Sequence, residues 1–213
     1  NRPDFYFRMA EVTSVDPEKK TISTSLGELD YDYLALATGT VTNFFGNDTI
    51  ASKAMSMKSV PEALDIRSLL LENFESALLT DDLKERESLM NVVIVGAGPT
   101  GVEMAGAIAE LRAHVLPHDY PDLDFRRMSI HLVEGLGQVL PPMSEKASKK
   151  AHKFLEELGV QIWLNTMVKD YDGKKITTSG KPMLTQTLIW AAGVQCMPPR
   201  GISADEMVKG NRI

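Results

Sequence analysis

The sequence predicts an α/β fold, in which a parallel sheet carries helices and is joined to an antiparallel β-meander. Three observations predict it. The β-branched run Val92–Val95 leads into a glycine-rich turn and then into a helix-forming segment. Residues 129–133 and 187–192 are further apolar runs of strand length in the same part of the chain. Asp172-Gly173 and Ser179-Gly180 are dipeptides typical of hairpin turns.

The N-terminal segment is predicted to form a hairpin followed by an interior strand. Residues 5–15 and 21–26 are expected to be antiparallel strands, with Asp16-Pro17-Glu18-Lys19 as the turn between them. Residues 33–37 (YLALA) are apolar on both faces, which is typical of a strand inside a covered sheet. This run ends at Thr38-Gly39-Thr40.

Two amphipathic helices flank the glycine-rich turn in sequence. Ser59 and Glu62 have the spacing of a capping box. The buried stripe of this first helix is expected to consist of Ile66, Leu70, Phe74 and Leu78. The second helix is predicted to begin near Ser144 and to end before Gly159. Its apolar side is expected to consist of Ala147, Ala151, Phe154, Leu155 and Leu158. The polar residues 80–88 are expected to form a domain boundary.

The glycine-rich turn has the pattern Gly96-x-Gly98-x-x-Gly101 and predicts a site for a dinucleotide phosphate. Gly96 would allow the tight turn, Gly98 would let backbone approach a pyrophosphate, and Gly101 would let the helix pack on the strand. The helix that starts here offers unpaired N–H groups and a positive dipole end. The candidate contacts are Gly96, Ala97, Gly98, Pro99, Thr100 and Gly101.

Glu134, at the end of the strand over residues 129–133, is the candidate ligand of the adenosine ribose. It lies 33 residues after Gly101, against the roughly 20 usual for this motif. We attribute the excess to an insertion over residues 113–128. The alternative is a solvated loop carboxylate. A carboxylate on the ribose would repel a 2′-phosphate, so the sequence favours NADH over NADPH.

Glu103 has two interpretations. A carboxylate in the first turn of a helix is favoured by the helix dipole alone. The functional interpretation is that its side chain faces the cofactor crevice, where a nicotinamide would meet an electron acceptor.

Composition and spacing exclude several other functions. The net charge of −6 and the absence of a basic stripe argue against nucleic acid. The four histidines show no metal-ligand spacing, so no metal site is expected. No Ser, His and Asp set lies in a nucleophile-elbow context, which disfavours hydrolysis. No apolar run approaches the ~20 residues that cross a bilayer, and we expect this chain to be soluble.

Five further segments of the sequence resemble segments of a known protein family. They are residues 31–40 (YDYLALATGT), 93–111 (VIVGAGPTGVEMAGAIAEL) and 188–194 (LIWAAGV), with the shorter segments Asn43-Phe44-Phe45-Gly46 and Asp119-Tyr120-Pro121. With them the chain resembles the flavoprotein oxidoreductases that have two dinucleotide-binding domains of Rossmann-like FAD/NAD(P)-binding fold. Within that group it resembles the type II NADH:quinone oxidoreductases, which are NADH dehydrogenases of the respiratory chain.

The resemblance implies an enzyme in which hydride passes from NADH to FAD and electrons then pass to a quinone. It implies that Thr38 and Gly39 lie beside FAD, and that Glu103 lies near the flavin and quinone ends. NADH would be held by the turn residues, by Glu134 and by Ala192 and Gly193, with Val168 beside the adenine. The implied segments are a partial FAD domain (1–48), a connecting helix (49–90), an NADH-binding domain (91–193) and a return into the FAD domain (194–213).

The resemblance also implies an internal fragment that is inactive alone, because the family's first glycine-rich motif and its C-terminal amphipathic helices are not in this sequence. The full-length protein would lie on the cytoplasmic side of the inner membrane as a peripheral protein. Its quinone and membrane contacts would come from the missing C-terminal part, and a homodimer is possible. Two alternatives stay open: a disulfide- or ferredoxin-type flavoprotein reductase, and a non-catalytic NAD-sensing module.

Overall fold

The computed structural model describes residues 4–203, 205 and 207, and the end of the predicted return segment lies outside them. Over this part of the chain the helices are α1 (Asp48–Ala51), α2 (Val60–Leu79), α3 (Leu83–Met90), α4 (Pro99–His114), α5 (Leu116–Asp119) and α6 (Glu145–Glu157), with a 3-10 turn at Phe125–Arg127. The strands are β1 (Val12–Asp16), β2 (Thr21–Thr24), β3 (Gly27–Asp30), β4 (Thr40–Thr42), β5 (Met55–Ser56), β6 (Val92–Val95), β7 (Ile130–Val133), β8 (Val160–Trp163), β9 (Val168–Tyr171), β10 (Lys175–Thr178), β11 (Met183–Leu184), β12 (Thr187–Trp190) and β13 (Val194–Cys196).

The chain divides into two compact units. The larger one is Thr42–Gly193, and the smaller one is formed by Asn1–Val41 and Val194–Ile213. The larger unit contains a five-stranded sheet in the order β5-β12-β6-β7-β8, in which every pairing is parallel. It also contains the antiparallel sheet β11-β10-β9. The predicted α/β class is therefore confirmed.

Both faces of the parallel sheet are covered, which explains why its strands are continuously apolar. Val92 and Ile94 face a core formed with the helices, whereas Val93 and Val95 face a second core formed with the β-meander and α1. The first core includes Ile66, Leu70, Phe74, Ile108 and Leu155. The second includes Ile50, Tyr171, Ile176, Met183 and Trp190. Successive side chains of a strand point to opposite faces, so β6, β7, β8 and β12 each contribute to both cores.

Helix α2 confirms the predicted capping box, because the Ser59 and Glu62 side chains each accept from the other's backbone N–H. The predicted stripe is wrong at its last member: Leu78 is exposed, and Ala77 is buried in its place. A repeat of four residues drifts by about 40° per step from the helix period of 3.6. Eleven residues are close to three whole turns, so Ala77 lies on the face of Ile66.

Helix α6 begins after Ser144, whose side chain accepts from Ala147 N–H, and Gly159 follows it with a φ of +76°, as predicted. Phe154, predicted on the apolar side, is exposed instead, and its ring lies under the Lys150 ammonium at 5.3 Å. The polar stretch over residues 80–88 was predicted to separate two segments, but most of it forms α3, capped by Asp82.

The smaller unit confirms the hairpin of β1 and β2 and adds β3 as a third antiparallel strand. Its first strand begins at Val12 rather than at residue 5. The predicted interior strand over residues 33–37 is wrong, since these residues have no strand structure and Tyr33 is almost fully exposed. Within the described residues no strand lies beside them, and an apolar segment becomes a strand only where a neighbour accepts its hydrogen bonds.

Candidate functional site: a dinucleotide cleft

The glycine-rich turn joins β6 to α4 and depends on two glycines for its packing. Gly96 has a φ of +99°, and a Cβ there would lie 2.5 Å from Ala192 Cα. A Cβ on Gly101 would overlap the carbonyl oxygen of Gly96. The turn therefore presses against the end of β12 on one side and against its own helix on the other, as the glycine pattern predicted.

Gly98 has a different environment. It is the N-cap residue of α4, and a Cβ there would meet nothing within 4 Å. No side chain caps the first N–H groups of the helix, and Pro99 occupies its first turn. The start of α4 therefore offers open space beside backbone donors at the positive end of a helix dipole, which is how folds of this type hold a phosphate.

Glu134 lies directly against the glycine-rich turn. Its Oε2 accepts from the N–H of Ala97 at 2.7 Å, and its Oε1 accepts from the N–H of Leu136 at 2.9 Å. The backbone of Glu134 is held on both sides, by Trp163 O at 2.8 Å and by Thr166 N at 2.9 Å. A carboxylate oxygen can accept more than one hydrogen bond, so the Glu134 carboxylate can also accept one from a sugar hydroxyl.

Sequence reasoning missed Leu140, which completes the frame around Ala97. Its backbone N–H donates to Ala97 O at 2.7 Å, and its φ of +49° is unusual for a leucine. Glu134 accepts from the N–H of Ala97, and Leu140 donates to its carbonyl oxygen. Both backbone polar groups of Ala97 are therefore paired within the protein. No local pattern in the sequence indicates this contact, because it joins segments more than 40 residues apart.

The end of β12 forms the other wall. Ala191 N–H donates to Val95 O at 2.7 Å, which brings Ala192 and Gly193 beside the turn. A Cβ on Gly193 would lie 3.0 Å from the ring of Phe45. The structure thus brings together the glycine-rich turn, Glu134, Ala192 and Gly193 from three separate parts of the sequence.

The remaining candidates take no part in the contacts described above. Glu103 is exposed on α4, beyond the first turn, which contains no acidic residue, and no described residue pairs with its carboxylate. Val168 begins β9 and is half-buried against the second core. In the smaller unit, Thr38 Oγ1 donates to Met197 O at 3.1 Å, and Gly39 has a φ of +77° with open space around it.

No group of three or more His, Cys, Asp or Glu side chains in the described part of the chain is arranged to hold a metal ion. None of the helices there is both long enough and apolar enough to span a bilayer.

The glycine-rich turn, its acidic partner and the flanking β-meander are matched as a whole by one family model. The model of the pyridine nucleotide-disulphide oxidoreductases matches residues 2–204. The chain belongs to the pyridine nucleotide-disulphide oxidoreductase family.

Within this family the chain is similar to two proteins of Mycobacterium tuberculosis (strain ATCC 25618 / H37Rv). It is 36% identical to the type II NADH:quinone oxidoreductase NdhA over 199 residues and 37% identical to the type II NADH:quinone oxidoreductase Ndh over 195 residues. These matches cover 89% and 87% of this chain and 42% of each relative. The resemblance seen in the sequence is confirmed, and the chain spans less than half the length of these relatives.

Two solved structures have a similar fold. NDH2 from Plasmodium falciparum in complex with NADH is 28% identical, with a TM-score of 0.77, over 88% of this chain and 41% of that one. A ferredoxin reductase from Rhodopseudomonas palustris has a TM-score of 0.62 at 17% identity, which shows a shared fold and nothing about activity.

Proposed function

We propose that this chain is the NADH-binding part, with an adjoining portion of the FAD-binding part, of an FAD-dependent NADH:quinone oxidoreductase. Two relatives at 36% and 37% identity carry that activity in their names, and a solved relative was determined with NADH. One observation of this structure carries the proposal. The Glu134 carboxylate meets the glycine-rich turn at Ala97, next to the open space at Gly98.

The residues of the cleft fit a dinucleotide. The start of α4 at Gly98 would receive the pyrophosphate on backbone N–H groups, and Glu134 would accept from the adenosine ribose. Ala192 and Gly193 would line the continuation of the cleft, and Val168 would lie toward the adenine. When bound, NADH and FAD would supply the redox chemistry, which is hydride transfer between them and delivery of electrons to a quinone. The protein then contributes mainly orientation of the two cofactors.

Three residues would act at the flavin end. In this proposal Thr38 and Gly39 lie beside FAD, where the left-handed backbone of Gly39 leaves space for a close approach. Glu103 would stand near the meeting point of nicotinamide, flavin and quinone. Its exposed carboxylate, without a partner among the described residues, is free to take that position.

Glu134 would also select the cofactor. A 2′-phosphate brought within ~4 Å of this carboxylate would meet a repulsion of about 4 kcal/mol per unit charge at an effective dielectric near 20. Solvent and salt reduce this figure at a half-exposed site. We therefore expect NADPH to bind at least about tenfold more weakly than NADH.

Calorimetric titration of the chain with NADH and with NADPH tests the proposal. We expect NADH to bind and NADPH to bind more weakly. Glu134→Gln should reduce the difference in affinity between the two cofactors. Glu72→Gln, on the exposed face of α2, is the matched control and should leave both affinities unchanged. Absence of NADH binding would overturn the proposed function, and equal binding of the two cofactors would remove Glu134 from this role.

The whole protein would act at a membrane. A quinone substrate requires access to lipid, so we propose a peripheral protein on the cytoplasmic side of the inner membrane, with a homodimer as its assembly. The division into a partial FAD domain (1–48), a connecting segment (49–90), predicted as one helix but containing β5, α2 and α3, an NADH-binding domain (91–193) and a return segment (194–213) is part of the same proposal. The ferredoxin- and disulfide-type alternatives rest on structural likeness below 25% identity, which carries no argument for their activity.

A further inference from the structure

Phe45 is an exposed aromatic residue that is held firmly in place beside the cleft. Its side chain is 65% exposed, and its φ of +53° lies in the left-handed region that phenylalanine rarely adopts. The N–H of Phe45 donates to Asn43 Oδ1 at 2.8 Å, which stabilises this conformation. The fold thus accepts backbone strain and leaves a large apolar side chain in solvent at one position.

The ring of Phe45 packs against residues that are themselves held by hydrogen bonds. It packs on Gly193, at 3.0 Å from the position of a Cβ there, and its centroid lies 6.4 Å from that of the Trp190 ring. Trp190 is buried, and its Nε1 donates to Asn43 O at 2.9 Å. Asn43 N–H in turn donates to Gly193 O at 3.0 Å. Residues 43–45 are therefore held against the end of β12 by hydrogen bonds and by packing of the Phe45 ring.

The order of the strands shows which end of a dinucleotide would reach this ring. With the ribose acid Glu134 after β7 and the phosphate turn after β6, a dinucleotide would continue across the sheet toward β12. Ala192 touches the turn at Gly96, and Gly193 touches Phe45, so these contacts form a continuous path from the phosphate position to the ring. The end of the cofactor that arrives there is the nicotinamide.

We infer that Phe45 is a positioning residue for the nicotinamide, forming an aromatic wall of the cleft beyond Gly193. This inference rests on the proposed function. An aromatic ring that is held in place, as that of Phe45 is, can pack against the nicotinamide ring and exclude water from one side of it. Gly193 is needed for the same reason, because a side chain there would push the ring of Phe45 away.

The experiment compares NADH with ADP-ribose, which has the adenosine, both phosphates and the second ribose but lacks the nicotinamide. Phe45→Asn removes the ring and retains a residue that tolerates the left-handed backbone, so the fold should be preserved. We expect this variant to bind NADH roughly two- to tenfold more weakly, as for the loss of one aromatic contact, and to bind ADP-ribose with unchanged affinity. Phe45→Tyr retains the ring and should restore NADH binding.

Phe154→Ala is the matched control, since it removes another exposed phenylalanine, on α6, and should change neither affinity. Equal losses for NADH and ADP-ribose in Phe45→Asn would show a merely structural role and overturn the inference. No loss for either ligand would also overturn it, since the ring would then not meet the nicotinamide. If the unmodified chain binds neither ligand, the proposed function fails, and this inference fails with it.

Discussion

Replacing Gly101 by alanine tests the packing on which the cleft depends. A Cβ at this position would lie 3.0 Å from the carbonyl carbon of Gly96 and would overlap its oxygen. No flexible side chain can move to relieve this overlap. The peptide that carries this oxygen is itself fixed, because the N–H of Ala97 donates to Glu134 Oε2 at 2.7 Å and the Cα of Gly96 lies against the end of β12.

Gly106, also in α4, supplies the internal control. A Cβ there would meet nothing within 4 Å, so Gly106→Ala should gain only the helix propensity of alanine, about 1 kcal/mol. Gly101→Ala makes the same gain but adds the overlap. Overpacking costs roughly 1–3 kcal/mol, and a fixed backbone partner places this case near about 3 kcal/mol. Since the propensity gain cancels, the two variants should differ by about 3 kcal/mol in the free energy of unfolding.

Urea unfolding followed by circular dichroism measures this difference, and thermal unfolding gives a second estimate. For a chain of this size about 3 kcal/mol corresponds to roughly 6–12 °C in Tm. Gly101→Ala should also lose NADH affinity, because the start of α4 would shift. Equal stability of the two alanine variants would refute the argument that helix and turn touch at Gly101.

Two further predictions concern the parts of the domain that support the cleft. The Arg112 side chain donates to Leu158 O at 2.7 Å and to Met128 O at 3.2 Å. Arg112→Met retains the apolar stem but loses both hydrogen bonds, so it should destabilise the fold by about 2 kcal/mol. Urea unfolding measures this loss, and an unchanged midpoint would contradict the prediction. His131, whose ring nitrogen accepts from Trp163 Nε1 at 3.1 Å, has a pKa lowered from its ordinary value of 6.5 because it is partly buried. The unfolded chain then binds a proton more readily than the fold, so stability is complete above about pH 6.5 and falls as the pH drops below it. His131→Asn should flatten this dependence below about pH 6.5, as measured by unfolding midpoints, and an unchanged slope would assign it to other groups.

Much of the larger unit was predictable because its determinants are local. A capping box, a glycine after a helix and a hairpin dipeptide act over a few residues, so Ser59, Gly159 and Gly173 were located correctly. The glycine-rich turn is of the same kind, since its backbone needs φ values that only glycine adopts readily. Continuous apolar strands then indicated a sheet covered on both faces.

Errors arose where the outcome depends on a neighbour that is distant in sequence. Residues 33–37 are apolar enough for a strand, but a strand exists only where another strand pairs with it. Leu78 and Phe154 are apolar but exposed, because which face of a helix is buried depends on what packs against it.

The sequence by itself determined the α/β class and the glycine-rich turn, because these follow from backbone geometry and from residue type, and it offered Glu134 as a candidate acidic partner. Only the tertiary structure decided that Glu134 reaches Ala97, that Leu140 closes the other side of that residue, and that Phe45 lies on Gly193. Each of these contacts joins segments that are far apart along the chain. Their geometry is fixed by how the sheet and its loops pack, and no local pattern encodes it.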